Sequence, residues 1–213
     1  MTGKPILYDF PFSGNCYKVR LLFSQLGIEF ETKPVDILAG DTKQRWYLRK
    51  NPIGQVPTLE LPDGTLLHES NAILMHFAEG TPFLPAPSLA RTRVLEWLCF
   101  EQTNVAPVIG RARFRRTFPD AVPTRPEEFE AWHRHGNRAL SILEERLHDY
   151  TYLVGESYTI ADLALFAYVH VAEQGGFSLE PYAAIRSWIE RAEEMPGHIA
   201  IDQAPPASSE TPS

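Results

Sequence analysis

The stretch that most constrains what this chain can fold into is Asn51 to Ser70, NPIGQVPTLELPDGTLLHES. The ring of Pro57 disfavours the helical region for the residue before it, so Val56 is held extended. Thr58, Leu59, Glu60 and Leu61 then alternate as a half-buried strand does. Pro62-Asp63-Gly64 marks a tight turn, and Leu66-Leu67-His68 returns as a second short strand. Glu69 and Ser70 stand at the start of an apolar helical run, Asn71 to Phe77. One compact unit thus carries an extended backbone, a hairpin, and a helix N-terminus with a carboxylate and a hydroxyl. An extended backbone pairs with a peptide-like ligand by strand addition. A helix N-terminus attracts a carboxylate, and Glu69 accepts hydrogen bonds from an ammonium. Together these groups suit a small peptide with a free amino-acid end.

The rest of the chain reads in order. Ile6 to Phe10 is a short strand, broken by Pro11-Phe12-Ser13-Gly14-Asn15. Val19, Leu22, Phe23 and Leu26 share one helical face, and Gly27 stops that helix. Phe30 to Pro34 reads as an edge strand, the one place where its proline is tolerated. Asp41 to Arg49 is a short polar helix, and the order of this half is βαβαββα. The prolines after Gly80 end the helical run and suit a linker, 81–87.

Everything beyond the linker reads helical. Leu89 to Phe114 forms one long run bent at Pro107, and Pro126-Glu127-Glu128 opens a helix that continues to about Tyr150. Thr159 and Asp162 have capping-box spacing before the apolar Leu163 to Val171. Ile185, Trp188, Ile189 and Ala192 make a further stripe. The expected domains are 1–80, α/β, and 88–202, all-helical, with a disordered tail over 203–213.

Composition excludes several function classes. The chain of 213 residues has a net charge of -7, which argues against a nucleic-acid partner. Two cysteines, Cys16 and Cys99, supply no disulfide framework, which points to a reducing compartment. The seven histidines have no metal-ligand spacing, so no metal is expected. No apolar run is long enough for a membrane span, and the N-terminus shows no signal peptide.

The motif NPxGxVPxLE, a turn, and then ES before a helix resembles the N-terminal domain of the glutathione transferases. The likeness covers nearly the whole chain. It includes the Thr159–Asp162 cap, which that family places before a buried helix of its all-helical C-terminal domain. The resemblance implies a thioredoxin-like fold for the first domain and glutathione as co-substrate. It implies glutathione-binding residues Gln55, Val56, Pro57, Glu69 and Ser70, with a cis bond before Pro57. It further implies a cytoplasmic homodimer, no membrane partner, and a detoxifying reaction in which the glutathione thiolate attacks a small hydrophobic electrophile.

The residues that would hold the sulfur lie in Ser13-Gly14-Asn15-Cys16, between the first strand and the first helix. Ser13 is a natural N-cap. A thiol at a helix N-terminus is pushed towards thiolate, and a hydroxyl donating to it stabilises the anion further. Two groups compete for this role. Ser13 resembles the serine of the theta and zeta classes, whereas Cys16 resembles the prominent cysteine of the beta class. Asn15 stands where the theta pattern tends to have proline, and its amide is a second candidate donor. Tyr8, inside the first strand, reads as packing. Ser13-x-x-Cys16 lacks the first thiol of a CxxC, so intramolecular dithiol exchange is unavailable.

Phe12, Arg111 and Phe114 are candidates for the second-substrate pocket, with Arg111, Arg113, Arg115 and Arg116 clustered around Phe114. Three other readings of the scaffold remain. They are a glutathione-dependent isomerase, a thiol reductase or peroxidase, and a non-catalytic transferase-like binding protein.

Overall fold

The structure is a computed structural model and describes residues 3–203. The expected tail lies outside the described residues except for Gln203. Two compact units emerge: residues 3–77 together with 196–203, and residues 78–195. Residues 196–203 therefore group with the α/β unit, whereas the sequence reading assigned them, up to 202, to the helical domain.

The first unit contains β1 (Ile6–Asp9), α1 (Gly14–Leu26), β2 (Glu31–Pro34), α2 (Arg45–Leu48), β3 (Thr58–Glu60), β4 (Leu66–His68) and α3 (Ser70–Ala78). The sheet runs β2-β1-β3-β4, with β1 parallel to β2 and antiparallel to β3. Strand alternation sends successive side chains to opposite faces. Leu7 of β1 and its cross-strand partner Leu59 pack with Val19, Phe23 and Ile73 from the two longer helices. Tyr8, next along β1, faces the other way and packs with Val35 and Tyr47. Gly27 ends α1 at φ 66, a left-handed conformation that suits glycine.

The polar segment expected as one helix over Asp41 to Arg49 is two pieces. A 3-10 turn at Asp41–Lys43 is separated from α2 by Gln44, whose backbone is extended (φ -76, ψ 148).

The second unit contains α4 (Ser88–Phe100), α5 (Arg111–Thr117), α6 (Pro126–Asp149), α7 (Ile160–Val169) and α8 (Ala183–Glu193). Between α4 and α5 the chain stays helical but widens into a π-type stretch, Glu101–Gly110. Pro107 lies inside it. A proline has no N–H for the i−4 bond and clashes with that carbonyl, so the wider coil accommodates what would otherwise kink an α-helix. Pro126 opens α6, and the Glu128 carboxylate accepts from the Arg125 backbone N–H at 3.0 Å.

Every residue of α7 is buried, so its N-terminus has no water to satisfy its amides. Thr159 Oγ1 accepts from Ala161 N–H at 3.2 Å, and Asp162 Oδ2 accepts from Thr159 N–H at 2.9 Å. Asp162 reaches further than a cap requires. Its Oδ1 accepts from Leu153 N–H at 2.9 Å and from the Trp188 indole N–H at 3.0 Å, tying a loop and α8 to the same carboxylate.

Burial pushes the Asp162 carboxyl up to about 6, against donors that favour its anion. A carboxyl raised in the folded state binds its proton there more readily than in the unfolded chain. Its contribution to stability is therefore full below the ordinary value of 3.8 and is lost as pH rises through about 6. Asp162→Ala should lower the unfolding free energy by at least about 2 kcal/mol at neutral pH, since several buried donors lose their acceptor. Urea titrations from pH 3 to 8 should also show the parent losing stability relative to Asp162→Asn across that interval and staying level above it.

Candidate functional site

The Ser13–Cys16 segment is built where β1 hands over to α1. Asp9 ends β1, and the chain turns so that Ser13 N–H donates to Phe10 carbonyl at 2.9 Å. Ser13 has extended backbone angles (φ -76, ψ 120), and its Oγ accepts from Cys16 N–H at 3.3 Å. It is the N-cap of α1. Capping uses a lone pair of the hydroxyl, so its O–H remains a donor, and it stands half-buried where the first amides of α1 converge.

Cys16 takes a different place from the one the helix terminus alone suggests. It is fully buried, with the Asp9 carboxylate close enough to oppose ionisation of its thiol. Burial, with the Asp9 charge added, pushes the thiol well above its ordinary range despite the favourable helix end. Of the two candidates for the sulfur, Cys16 is thus the one the structure disfavours: its thiol is shielded and its ionisation is opposed by burial and by Asp9.

Asp9 is itself paired. The Arg20 guanidinium donates to both of its oxygens, at 2.6 and 2.8 Å. Arg20 also donates to the carbonyls of Pro11 and Ile201, each at 2.9 Å.

The Gln55–Pro57 side is equally constrained. The Val56–Pro57 bond is cis. The carbonyl of Gln55 accepts from the Tyr47 hydroxyl at 2.7 Å and from Asn51 Nδ2 at 2.9 Å. Asn51 Nδ2 and the Tyr47 hydroxyl also bond Thr58 Oγ1, at 3.1 and 2.9 Å. Gly54 has φ 66, and a Cβ there would lie 2.9 Å from the Thr42 carbonyl, so the motif's glycine is required twice over. These contacts hold the backbone of Gln55 and Val56 just before β3, outside the sheet's own ladder.

Glu69 is exposed and left-handed, with φ 65, and its carbonyl accepts the first bond of α3 from Ile73 N–H at 3.0 Å. Ser70 is buried.

The two motifs meet directly. Ser70 Oγ donates to Asn15 Oδ1 at 3.0 Å, across 55 residues of sequence. Lys18 Nζ donates to the same oxygen at 3.0 Å, and to Ser70 Oγ and Asn71 Oδ1 at 3.4 and 3.2 Å. Sequence reasoning missed Lys18. The available signal was a lysine among Tyr17, Val19, Leu21 and Leu22, on a helix whose middle is buried.

Other candidates are distributed differently. Tyr8 is buried on the α2 face, and its hydroxyl donates to Glu60 Oε2 at 2.8 Å, an oxygen that Lys50 Nζ also reaches at 2.9 Å. Burial raises its pKa. Phe12 is 46% exposed beside Phe10 in the first unit, whereas Arg111 and Phe114 belong to the second.

The arginines expected as one cluster around Phe114 are dispersed. Arg113 is buried and donates to Gln174 Oε1 at 2.7 Å, Arg116 lies over the Phe129 ring, and Arg115 donates to the Val122 carbonyl. Among the described residues no group of three or more His, Cys, Asp or Glu could hold a metal ion, and no helix is long and apolar enough to cross a membrane.

Comparison with known proteins places this architecture. Residues 7–83 match the glutathione S-transferase N-terminal domain, and residues 105–196 match the glutathione S-transferase C-terminal domain. A glutathione S-transferase from Pseudomonas fluorescens superposes with a TM-score of 0.91 at 45% identity, covering 93% of this chain and 99% of that one. The disulfide-bond oxidoreductase YfcG of Escherichia coli is 28% identical over 85% of this chain and 87% of its own length. A glutathione transferase homolog from Lodderomyces elongisporus, solved with two GSH per subunit, has a TM-score of 0.83 at 25% identity, covering 92% of this chain and 95% of that one. The chain belongs to the glutathione S-transferase family.

The two thiols should behave oppositely in the native protein. Iodoacetamide should modify the exposed Cys99 and leave Cys16 unlabelled until denaturant is added, as read by peptide mass spectrometry. Native labelling of Cys16 at a comparable rate would contradict its burial.

Proposed function

We propose that this protein is a glutathione transferase in which Ser13 is the principal donor to the glutathione sulfur. Glutathione binds with its cysteinyl unit along the backbone of Gln55, Val56 and Pro57. Its γ-glutamyl end lies at Glu69 and Ser70, the carboxylate taking the ammonium and the helix N-terminus taking the carboxyl group. The Ser13 hydroxyl and the Asn15 amide donate to the sulfur and favour its thiolate. That thiolate is the nucleophile, so the protein supplies pKa lowering and orientation while no enzyme group forms a covalent intermediate.

The second substrate is a small hydrophobic electrophile, with Phe12, Arg111 and Phe114 as candidate contacts. The molecule acts as a homodimer in the cytoplasm, in a detoxifying role. Its proposed domains are the α/β part over about 1–80 and the helical part from about 88 onward.

The observation that carries this reading is the Ser70–Asn15 hydrogen bond, which brings a peptide-anchoring motif and a thiol-stabilising segment into contact within one domain. Glutathione in the solved Lodderomyces relative supports the choice of ligand.

A second reading is favoured by the likeness to a disulfide-bond oxidoreductase. There the bound thiolate attacks one sulfur of a disulfide, forming a mixed disulfide with glutathione and releasing the other sulfur as thiolate. With Cys16 buried, that chemistry also falls to the glutathione sulfur.

Ser13→Ala should raise the pKa of bound glutathione, read from thiolate absorbance, by about one pH unit or more, equivalent to ~1.4 kcal/mol per unit. Turnover at neutral pH should fall while affinity is largely kept. Ser70→Ala should weaken glutathione binding in calorimetry about tenfold, as expected for one hydrogen bond to a charged group. An activated aryl halide and a small disulfide, assayed side by side, separate conjugation from thiol transfer. Turnover of neither, with glutathione still bound, would identify a binding protein.

A further inference from the structure

Lys18 is the most unusual charge in the first unit. It is fully buried in the first half of α1, between Tyr17 and Val19, which are themselves fully buried. Burying an ammonium costs several kcal/mol unless hydrogen bonds replace its water. An ammonium has three N–H donors and no acceptor. Among the partners of Lys18 are Asn15 Oδ1, Ser70 Oγ and Asn71 Oδ1, at 3.0, 3.4 and 3.2 Å. One oxygen lies in the first turn of α1, beside Ser13, and two lie in the first turn of α3, beside Glu69.

Ser70 Oγ donates to Asn15 Oδ1 as well, so the Asn15 oxygen is held from two sides. A carboxamide is planar, with its NH2 on the opposite side of Cγ. Fixing Oδ1 on the α3 side therefore fixes the direction in which Nδ2 donates. A neutral side chain could fill the same volume at less desolvation cost. What Lys18 adds is a cation placed between the two halves of the candidate site.

We propose that Lys18 is a positioning residue that couples the sulfur end of the site to its γ-glutamyl end. It orients the Asn15 amide towards the bound sulfur and the Ser70 hydroxyl within the anchor, and its charge favours the anionic state at both ends. The inference rests on the glutathione reading above. Its consequence is a specificity rule: ligands with both an anionic amino-acid end and an ionisable thiol gain from the same cation. Ligands with only one of the two gain less.

The test uses the full chain with two probes, S-methylglutathione for the anchor alone and glutathione for the thiol pKa. Lys18→Met should still fold, because Asn15 and Asn71 are only half-buried and the Asn15 oxygen keeps its bond from Ser70. It should bind S-methylglutathione about tenfold more weakly, the loss expected of one charge-assisted hydrogen bond. The pKa of its bound glutathione should rise by about one pH unit. A purely structural lysine would lower the melting temperature and move neither reading per folded molecule.

If Lys18→Met does not fold, Asn15→Ala, Asn71→Ala and the double variant decide, since the ammonium bridges these two side chains. Asn71→Ala alone should raise the bound-thiol pKa from the α3 side, and the double variant should change it by less than the sum of the singles. Additive effects, or an unmoved pKa in Asn71→Ala, would overturn the coupling. A parent that binds neither probe overturns the glutathione reading and this inference with it. A parent that binds both while Lys18→Met keeps affinity and pKa overturns the role of Lys18 alone.

Discussion

The buried pair of Asp9 and Arg20 is the interaction on which the first unit's site depends. Asp9 is the last residue of β1, Arg20 is in the middle of α1, and the two side chains are 3% and 1% exposed as residues. Desolvation still leaves the Asp9 carboxyl raised, with Arg20 opposing it, so the pair is weak evidence of net stabilisation. Its effect is geometric. Its Nη2 donates to the carbonyls of Pro11 and Ile201. One planar group thus fixes the strand end, the loop leading to Ser13, and the returning C-terminal segment. Tyr17 adds a second tie, its hydroxyl donating to the Ile199 carbonyl at 2.7 Å. The position of the Ser13 hydroxyl follows from those ties, and removing either charge would leave the other buried without its partner.

Local chemistry made much of this legible in the sequence. Gly27 as a stop, the hairpin around Pro62-Asp63-Gly64, the edge strand with its proline, and the Thr159–Asp162 cap are each dictated by residues within a few positions of one another. What escaped depends on contacts distant in sequence. Cys16 has a helix-terminal address that predicts a thiolate, yet Asp9 and the surrounding core decide its state. Arg113, Arg115 and Arg116 share a stretch of sequence but not their partners, because α5 turns Arg113 inward to Gln174, 61 residues away. Lys18 stands among apolar neighbours in the sequence, but its partners become visible only when α3 brings Ser70 and Asn71 to it. The widened coil around Pro107 was readable only as a bend, since proline alone does not specify how a helix absorbs it.

The two faces of the sheet divide the work. On one face the apolar cluster of Leu7, Leu59, Val19, Phe23 and Ile73 clamps α1 and α3, the helices whose first turns carry Ser13–Asn15 and Ser70–Asn71. On the other, Tyr8, Tyr47 and Val35 form a smaller cluster whose polar atoms are all turned to structural use. The Tyr8 hydroxyl is committed to Glu60, and that of Tyr47 to Gln55 and Thr58. The strand tyrosine is thereby committed to the fold, as its packing role in the sequence suggests. The Tyr47 contacts instead hold the backbone that the proposed peptide ligand would meet.

Glu69 shows where local energetics yield to the site. A left-handed backbone at a non-glycine residue costs about 1–2 kcal/mol. The fold needs a residue there whose carbonyl receives Ile73 N–H and starts α3. Glycine would do this without strain, and asparagine with little. A glutamate brings no packing, since its side chain is exposed, and its pairing with solvent adds nothing to α3. The carboxylate is therefore the costlier choice for the backbone, and only its charge at the edge of the anchor distinguishes it from the cheaper alternatives. On the proposed reading that charge meets the ligand's ammonium, while the first amides of α3 meet its carboxyl group and Lys18 holds Ser70 beside them. The two opposite charges, one exposed and one buried, would then read the two opposite charges of a single amino-acid end. That explains how a chain with a net charge of -7 could bind an anionic peptide through groups fixed only a few residues apart.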